Sequence, residues 1–207
     1  MSTRIAVLCS GGGTNLQAIL DAIDAGEIDG EVVLVLANAS RAYALERARA
    51  RGVEAVFVSR KQAGSAEAFN DEILRHLLRV RAELVVLAGY LPIVGPQVVA
   101  SFPHRILNIH PALIPAFCGV GMYGHHVHEA VIAYGAKVSG ATVHFVDEQV
   151  DHGCIVMQES VPVLETDDSD ALAARVLTVE HRILPRSVSL FCAGKLRVDG
   201  RRVFVVE

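Results

Sequence analysis

Arg4-Ile5-Ala6-Val7-Leu8-Cys9-Ser10-Gly11-Gly12-Gly13-Thr14-Asn15 begins as a continuous apolar run and ends in a glycine-rich turn. A run of this kind predicts a strand buried on both faces. Beyond the turn, apolar residues recur at helical spacing until Gly26, namely Leu16, Ile19, Leu20 and Ile23. A strand, a tight turn and an amphipathic helix in this order predict the first unit of an α/β fold.

The same glycine turn predicts an anion site. Glycines let backbone N–H groups approach a phosphate closely, and the start of a helix favours negative charge. The turn is not a Walker motif, because no Lys-Ser/Thr follows, and Leu16 holds the third glycine position of a dinucleotide fingerprint. The pattern alone leaves a second interpretation open, in which the turn is only a tight connection and Thr14 is the helix N-cap.

Strands and helices alternate along most of the remaining chain. Further apolar runs occur at Glu31–Ala37, Glu54–Val58, Leu84–Ala88, Arg105–His110 and Ser139–Val146. They predict a Rossmann-like, doubly wound, mostly parallel sheet with helices on both faces. Asp199-Gly200 predicts a C-terminal hairpin, and Pro162 places its strand near an edge of the sheet. We find no linker, and we expect a single domain over residues 1–207.

The composition excludes several classes of function. The 207 residues are 52% hydrophobic and carry a net charge of −4, with no run rich in Lys or Arg, so nucleic-acid binding is not indicated. We find neither a signal peptide nor a membrane-spanning segment. The four cysteines are widely scattered, which favours reduced thiols in the cytoplasm over disulfides or a zinc site.

The stretch Leu107–Pro115 is the best candidate for chemistry. Asn108 and His110 are two residues apart on a predicted strand, so both side chains leave its end on the same side. Pro111 and Pro115 then confine the loop that follows. Polar groups at a strand end predict catalysis in an α/β sheet, although a strand whose histidine caps a turn would show the same pattern.

Three histidines invite a metal interpretation. His125, His126 and His128 open a predicted helix, but no Cys, Asp or ExxH partner stands nearby. A surface or pocket-lining role is the better prediction, and we expect no metal.

Taken together, five motifs in order closely resemble one family over essentially the whole chain. They are Ser10–Leu16, Leu107–Pro115, Ser139–Asp147, Asp151-x-Gly153 and Glu180-His181. The chain resembles the phosphoribosylglycinamide formyltransferases, folate-dependent enzymes of purine synthesis. The resemblance implies formyl transfer from 10-formyltetrahydrofolate, a co-substrate, to the amine of glycinamide ribonucleotide.

The resemblance also implies roles for individual residues. Asn108, His110 and Asp151 match the catalytic trio. The substrate phosphate is assigned to Gly13, Thr14 and Asn15, and further substrate contacts to Leu177, Thr178, Val179 and Glu180. The folate pterin is assigned to Leu91, Pro92, Ile93 and Val94 and to Asp147, Glu148, Gln149, Val150 and Asp151, with Asn108 also on the folate side.

Two departures from the family pattern are visible. Ala66 and Pro92 stand where many members carry basic residues that meet the glutamate tail of the folate. The loop Cys118–Gly124 is longer than in familiar members, which leaves its alignment and the three nearby histidines without an assigned role.

The residue types suggest a mechanism. The Asn108 amide and a protonated His110 are suitable donors for a developing oxyanion. We expect Asp151 to raise the pKa of His110 and His144 to be structural or to support the site from behind.

Three alternative functions fit part of the same pattern. Methionyl-tRNA formyltransferase shares an Asn-x-His-Pro-like core with this sequence but has a basic tRNA-binding domain. Formyltetrahydrofolate deformylase shares the glycine loop but is a longer chain with an extra N-terminal domain. A non-catalytic nucleotide-binding module would leave Asn108, His110 and Asp151 unexplained. The expected partners are small molecules, with no nucleic acid and no membrane, and the chain is expected to be a monomer or homodimer.

Overall fold

A computed structural model describes residues 2–206. Its strands are β1 (Thr3–Cys9), β2 (Gly30–Ala37), β3 (Ala55–Phe57), β4 (Leu84–Leu87), β5 (Ile106–His110), β6 (Val138–Phe145), β7 (Ile155–Pro162), β8 (Leu196–Asp199) and β9 (Arg202–Val205). Its helices are α1 (Thr14–Asp24), α2 (Tyr43–Ala50), α3 (Arg60–Ala63), α4 (Ala66–Arg79), α5 (Pro96–Ser101), α6 (His125–Tyr134) and α7 (Ser169–Cys192).

The chain divides into two compact units, one up to Leu107 and one from Asn108 onward. In the first unit the strand order is β3-β2-β1-β4, and β1 pairs in parallel with both β2 and β4. Parallel strands need long crossovers, which helices supply here. β4 is entirely buried, and β1 and β2 are buried over most of their lengths, as their continuous apolar runs predict.

The second unit is mixed. β6 and β7 are antiparallel, β7 pairs in parallel with β9, and β8 and β9 form the C-terminal hairpin. The prediction of an α/β fold with a mostly parallel sheet and this hairpin is therefore confirmed. The single-domain assignment stays a prediction. No helix in the described part of the chain is long and apolar enough to cross a membrane.

The prediction that the strand of Pro162 lies near an edge is confirmed, because β7 is followed in the sheet by β9 and then by the edge strand β8. Pro162 is the last residue of β7, whereas β9 pairs at the other end, through Ile155 and Arg202. The missing N–H of the proline therefore costs no hydrogen bond to β9.

Gly153 allows a close backbone approach at the end of β6. A Cβ atom at this position would lie 1.7 Å from the carbonyl oxygen of Phe145. No rotamer change relieves a clash with backbone, so the glycine in the Asp151-x-Gly153 motif has a steric reason.

Gly153→Ala should consequently destabilise the protein by roughly 3 kcal/mol or more, since the clash forces strand and loop apart. Gly11→Ala is the matched control, because a Cβ there meets nothing within 4 Å. Urea unfolding of both variants measures the difference. Similar midpoints for the two variants would contradict the steric argument.

Candidate active site

β5 delivers the two polar side chains predicted from its sequence. Asn108 is half-buried and His110 is only 3% exposed. The segment after the strand is held by Thr142 of β6, which is fully buried. The Thr142 hydroxyl donates to the Ala112 carbonyl at 2.6 Å and accepts from the Ile114 N–H at 3.1 Å. The backbone of the segment that follows β5 is thus fixed to β6.

Asp151 joins this strand end as predicted. Its Oδ2 lies 3.6 Å from Nδ1 of His110, and its Oδ1 lies 3.7 Å from Nε2 of His144. The backbone N–H of Gly119 donates to Oδ2 at 2.9 Å. The carboxylate side chain is 10% exposed. Two imidazoles and one backbone donor therefore surround a largely buried negative charge.

His144 connects Asn108 to the carboxylate. Its Nδ1 lies 2.8 Å from the Phe145 carbonyl oxygen, and its Nε2 lies 3.0 Å from Nδ2 of Asn108. A carbonyl only accepts, so Nδ1–H is the donor and the lone pair of Nε2 accepts from the amide of Asn108. The second hydrogen on the Asn108 Nδ2 has no partner among residues 2–206 and can meet a ligand.

His110 is held by the loop as well. Its Nε2–H donates to the Phe117 carbonyl at 2.9 Å. Burial lowers the pKa of His110, and this outweighs the opposing effects of Asp151 and of the Phe117 carbonyl. The expectation that Asp151 raises the pKa of His110 is right for that one contribution and wrong for the net shift. The neutral ring is the favoured form at neutral pH.

The carboxyl of Asp151 stays ionised. Burial acts to raise its pKa, but His144, His110 and the Gly119 N–H together lower it below the usual value. This contribution to stability is present above the unfolded-state pKa and is lost as the pH falls through the folded-state pKa. Asp151 also has φ 54°, a left-handed conformation that Asp and Asn tolerate better than most residues.

The structure decides which residue of the glycine turn caps α1. Gly13, with φ 71°, is the N-cap of α1, and Thr14 is the first helical residue. The reading of Thr14 as the N-cap is therefore wrong. A Cβ at Gly13 would lie 2.8 Å from Cα of Ala44, so α2 packs directly against the turn. Asn15 is buried.

The other predicted residues occupy three segments. Leu91 to Val94 lie between β4 and α5, with Leu91 52% and Ile93 64% exposed. In the acidic turn, Asp147 accepts from the Gln149 N–H at 2.9 Å, and Glu148, Gln149 and Val150 are exposed. On α7, Val179 and Glu180 are buried, Leu177 is half-buried and Thr178 is exposed.

Two of the three histidines of α6 contact each other, since the rings of His125 and His128 lie edge to face with centroids 6.2 Å apart. His125 contacts Ser169 and Asp170, His126 contacts Glu129, and His128 is buried. Among residues 2–206 no group of three or more His, Cys, Asp or Glu side chains could hold a metal ion.

The sequence did not indicate two residues whose backbone groups bind the side chains of the site. Phe117 and Gly119 act through backbone groups, and only the high glycine content of their loop hints at an unusual conformation. His144 was expected to be structural or to support the site, and it does both, because it is buried and orients Asn108.

An amide donor, a neutral imidazole and an ionised carboxylate side by side can stabilise a developing oxyanion and exchange a proton, which is the equipment of a group-transfer enzyme on an α/β fold. The model of the formyl transferase family matches residues 3–188. The chain belongs to the formyl transferase family.

Several known proteins are similar to this one over most of its length. Phosphoribosylglycinamide formyltransferase of Escherichia coli is 37% identical over 207 residues, which cover 97% of this chain and 95% of that protein. The crystal structure of glycinamide ribonucleotide transformylase 1 from Symbiobacterium toebii superposes with a TM-score of 0.95 at 44% identity and covers 100% of this chain and 95% of that one. The chain also matches the trifunctional purine biosynthetic protein adenosine-3 of Drosophila pseudoobscura pseudoobscura at 41% identity, over 94% of this chain but only 14% of that protein.

Asp151→Asn should lower the pKa of His110 further, because it removes a contribution that raises this pKa. Asn keeps the shape and tolerates the left-handed backbone. The His110 ring signal in an NMR titration measures the shift. If the neutral ring is the working form, the low-pH limb of the rate profile moves to lower pH.

Asp170→Asn is the control, because Asp170 contacts His125 and is 89% exposed. It should leave the pKa of His110 in place. An unmoved His110 titration in Asp151→Asn would show that the carboxylate does not act on this ring.

Proposed function

We propose that the protein transfers a formyl group from 10-formyltetrahydrofolate to the amine of 5'-phosphoribosylglycinamide. The products are N-formylglycinamide ribonucleotide and tetrahydrofolate, and the reaction belongs to de novo purine biosynthesis. The observation that carries the proposal is the buried cluster of Asn108, His144, Asp151 and His110, because it supplies the donor and the proton acceptor that this reaction needs.

Attack of an amine on a formyl carbon develops negative charge on the formyl oxygen. A donor fixed in advance at that oxygen typically contributes about 10²–10³-fold in rate. We assign this role to the second hydrogen of the Asn108 amide. His144 holds the first hydrogen, so the orientation of the amide is set before the substrate arrives.

The attacking amine must also lose a proton. A neutral His110 can accept one at Nδ1, because its Nε2–H is held by the Phe117 carbonyl. The imidazolium formed then lies 3.6 Å from the Asp151 carboxylate, which stabilises it. The same proton can pass on to the leaving folate nitrogen. Burial keeps the ring neutral before the reaction, and Asp151 limits the decrease of its pKa, so the ring can still take up a proton.

The remaining assignments follow the family. We assign the substrate phosphate to the N–H groups of the turn at Gly13, Thr14 and Asn15, and other substrate contacts to Leu177–Glu180. The pterin is assigned to Leu91–Val94 and Asp147–Asp151. We place the protein in the cytoplasm, in keeping with its four free cysteines. The monomer or homodimer stays a prediction.

The test is a spectrophotometric assay of tetrahydrofolate formation with both substrates present. Asn108→Asp should lower kcat by about 10²–10³-fold, because a carboxylate offers no donor to the oxyanion. Asn38→Asp is a matched control, since Asn38 accepts from Ser10 outside the cluster. Formate release without the ribonucleotide would instead indicate a deformylase, and no turnover at all would leave only a binding module.

We further predict that added glutamates on the folate change its affinity by less than about twofold, since no cation occupies the family positions for the tail. Ala66 is exposed at the start of α4, and Pro92 is half-buried. Inhibition constants of folate analogues with one and five glutamates measure this. Ala66→Arg should introduce a dependence on the tail.

Arg60 and Lys61 are the nearest basic residues along the chain and lie exposed on α3. A steep gain in the wild type that the double variant Arg60→Gln, Lys61→Gln removes would contradict the prediction and assign the tail to α3.

A further inference from the structure

Arg47 of α2 is held against the glycine turn and has no role in the assignments above. Its Nε–H donates to the Gly12 carbonyl at 2.8 Å, and its NH1 donates to Oε1 of Gln17 at 3.0 Å. Its guanidinium also lies over the ring of Tyr43, 5.0 Å from the centroid. Three contacts hold a long, half-buried side chain in one place, although exposed arginines are usually mobile.

Helix α2 binds two successive carbonyl groups of the turn. The Ala44 N–H donates to the Gly11 carbonyl at 3.1 Å, and the Arg47 Nε–H donates to the Gly12 carbonyl. In a trans peptide the C=O of one residue and the N–H of the next point in opposite directions. The N–H groups of Gly12 and Gly13 are therefore aimed away from α2. Successive N–H groups directed to one side form an anion-binding concavity.

The charge of Arg47 is not neutralised. In the described part of the chain its guanidinium makes no ion pair, whereas Arg49 and Arg51 on or beside the same helix pair with Glu46 and Asp24. An uncompensated cation beside a turn that presents N–H groups raises the local affinity for an anion.

We infer that Arg47 is a positioning residue for the substrate phosphate, because it fixes the Gly12–Gly13 peptide so that its N–H meets the anion. The inference rests on the proposed function, in which the turn holds that phosphate. A planar guanidinium that bridges Gly12 and Gln17 can do this, and the single ammonium of lysine cannot reproduce both bonds in that geometry.

The experiment compares Arg47→Gln, Arg47→Lys and Arg49→Gln in the steady-state assay. Loss of a hydrogen bond from a charged donor should raise KM for glycinamide ribonucleotide by about 10-fold in Arg47→Gln. The KM for the folate and kcat at saturation should stay near wild type. Arg47→Lys should retain a clear defect. Arg49→Gln should behave as wild type, because Arg49 is exposed and, among residues 2–206, pairs only with Glu46.

The dephosphorylated nucleoside is the second substrate, and it separates positioning of the phosphate from general damage. Arg47→Gln should not change kcat/KM for this compound, because no anion is there to be placed. An equal loss with both substrates, an unchanged KM for the ribonucleotide, or an Arg47→Lys variant equal to wild type would each overturn the inference.

Failure of the underlying proposal gives a different result. If the wild type itself does not prefer the phosphorylated substrate, the phosphate assignment to the turn fails, and the role of Arg47 fails with it. A wild type that prefers the phosphate, together with Arg47 variants that do not differ from it, removes Arg47 alone. Melting temperatures of all variants show whether folding is intact.

Discussion

The second unit depends on how the buried carboxylate of Asp151 is compensated. An isolated charge taken out of water costs several kcal/mol, so it persists only with partners around it. The partners come from three places in the chain: His110 from β5, His144 from β6, and the Gly119 N–H from the loop between β5 and α6. The Gly119 N–H donates to the carboxylate directly, at 2.9 Å, and the two rings lie 3.6 and 3.7 Å from it, so the loop and both strands meet at this charge.

The same compensation sets the chemistry of His110. Burial alone would make this imidazole a poor proton acceptor, and a carboxylate in contact with it in water would keep it charged. With both present, burial prevails and lowers the pKa, while Asp151 limits the decrease. A ring that is neutral at rest, and next to a charge that stabilises its protonated form, can both take a proton and give it up. A protonated resting form, expected from the residue types, could not accept one.

Local patterns predicted much of this. The alternation on β5 places Asn108 and His110 on one side, and the glycine turn does precede α1. The net pKa shift of His110 was not predictable, because it depends on how deeply the ring is buried relative to its distance from Asp151. The roles of Phe117 and Gly119 were not visible either, because backbone groups act there and any residue type carries them.

Gly153 shows how strictly the carboxylate must be placed. Its Cα passes so near the Phe145 carbonyl that no side chain fits, and this brings the chain back to β6 two residues after Asp151. Asp151 itself takes a left-handed conformation, which costs of order 1 kcal/mol for a residue with a side chain. His144 and Phe145 are neighbours, so the glycine that contacts Phe145 also brings the aspartate close to His144. The strain at Asp151 is therefore the consequence of a turn short enough to join both contacts, and the hydrogen bond from the Gly119 N–H to its carboxylate helps to offset that cost.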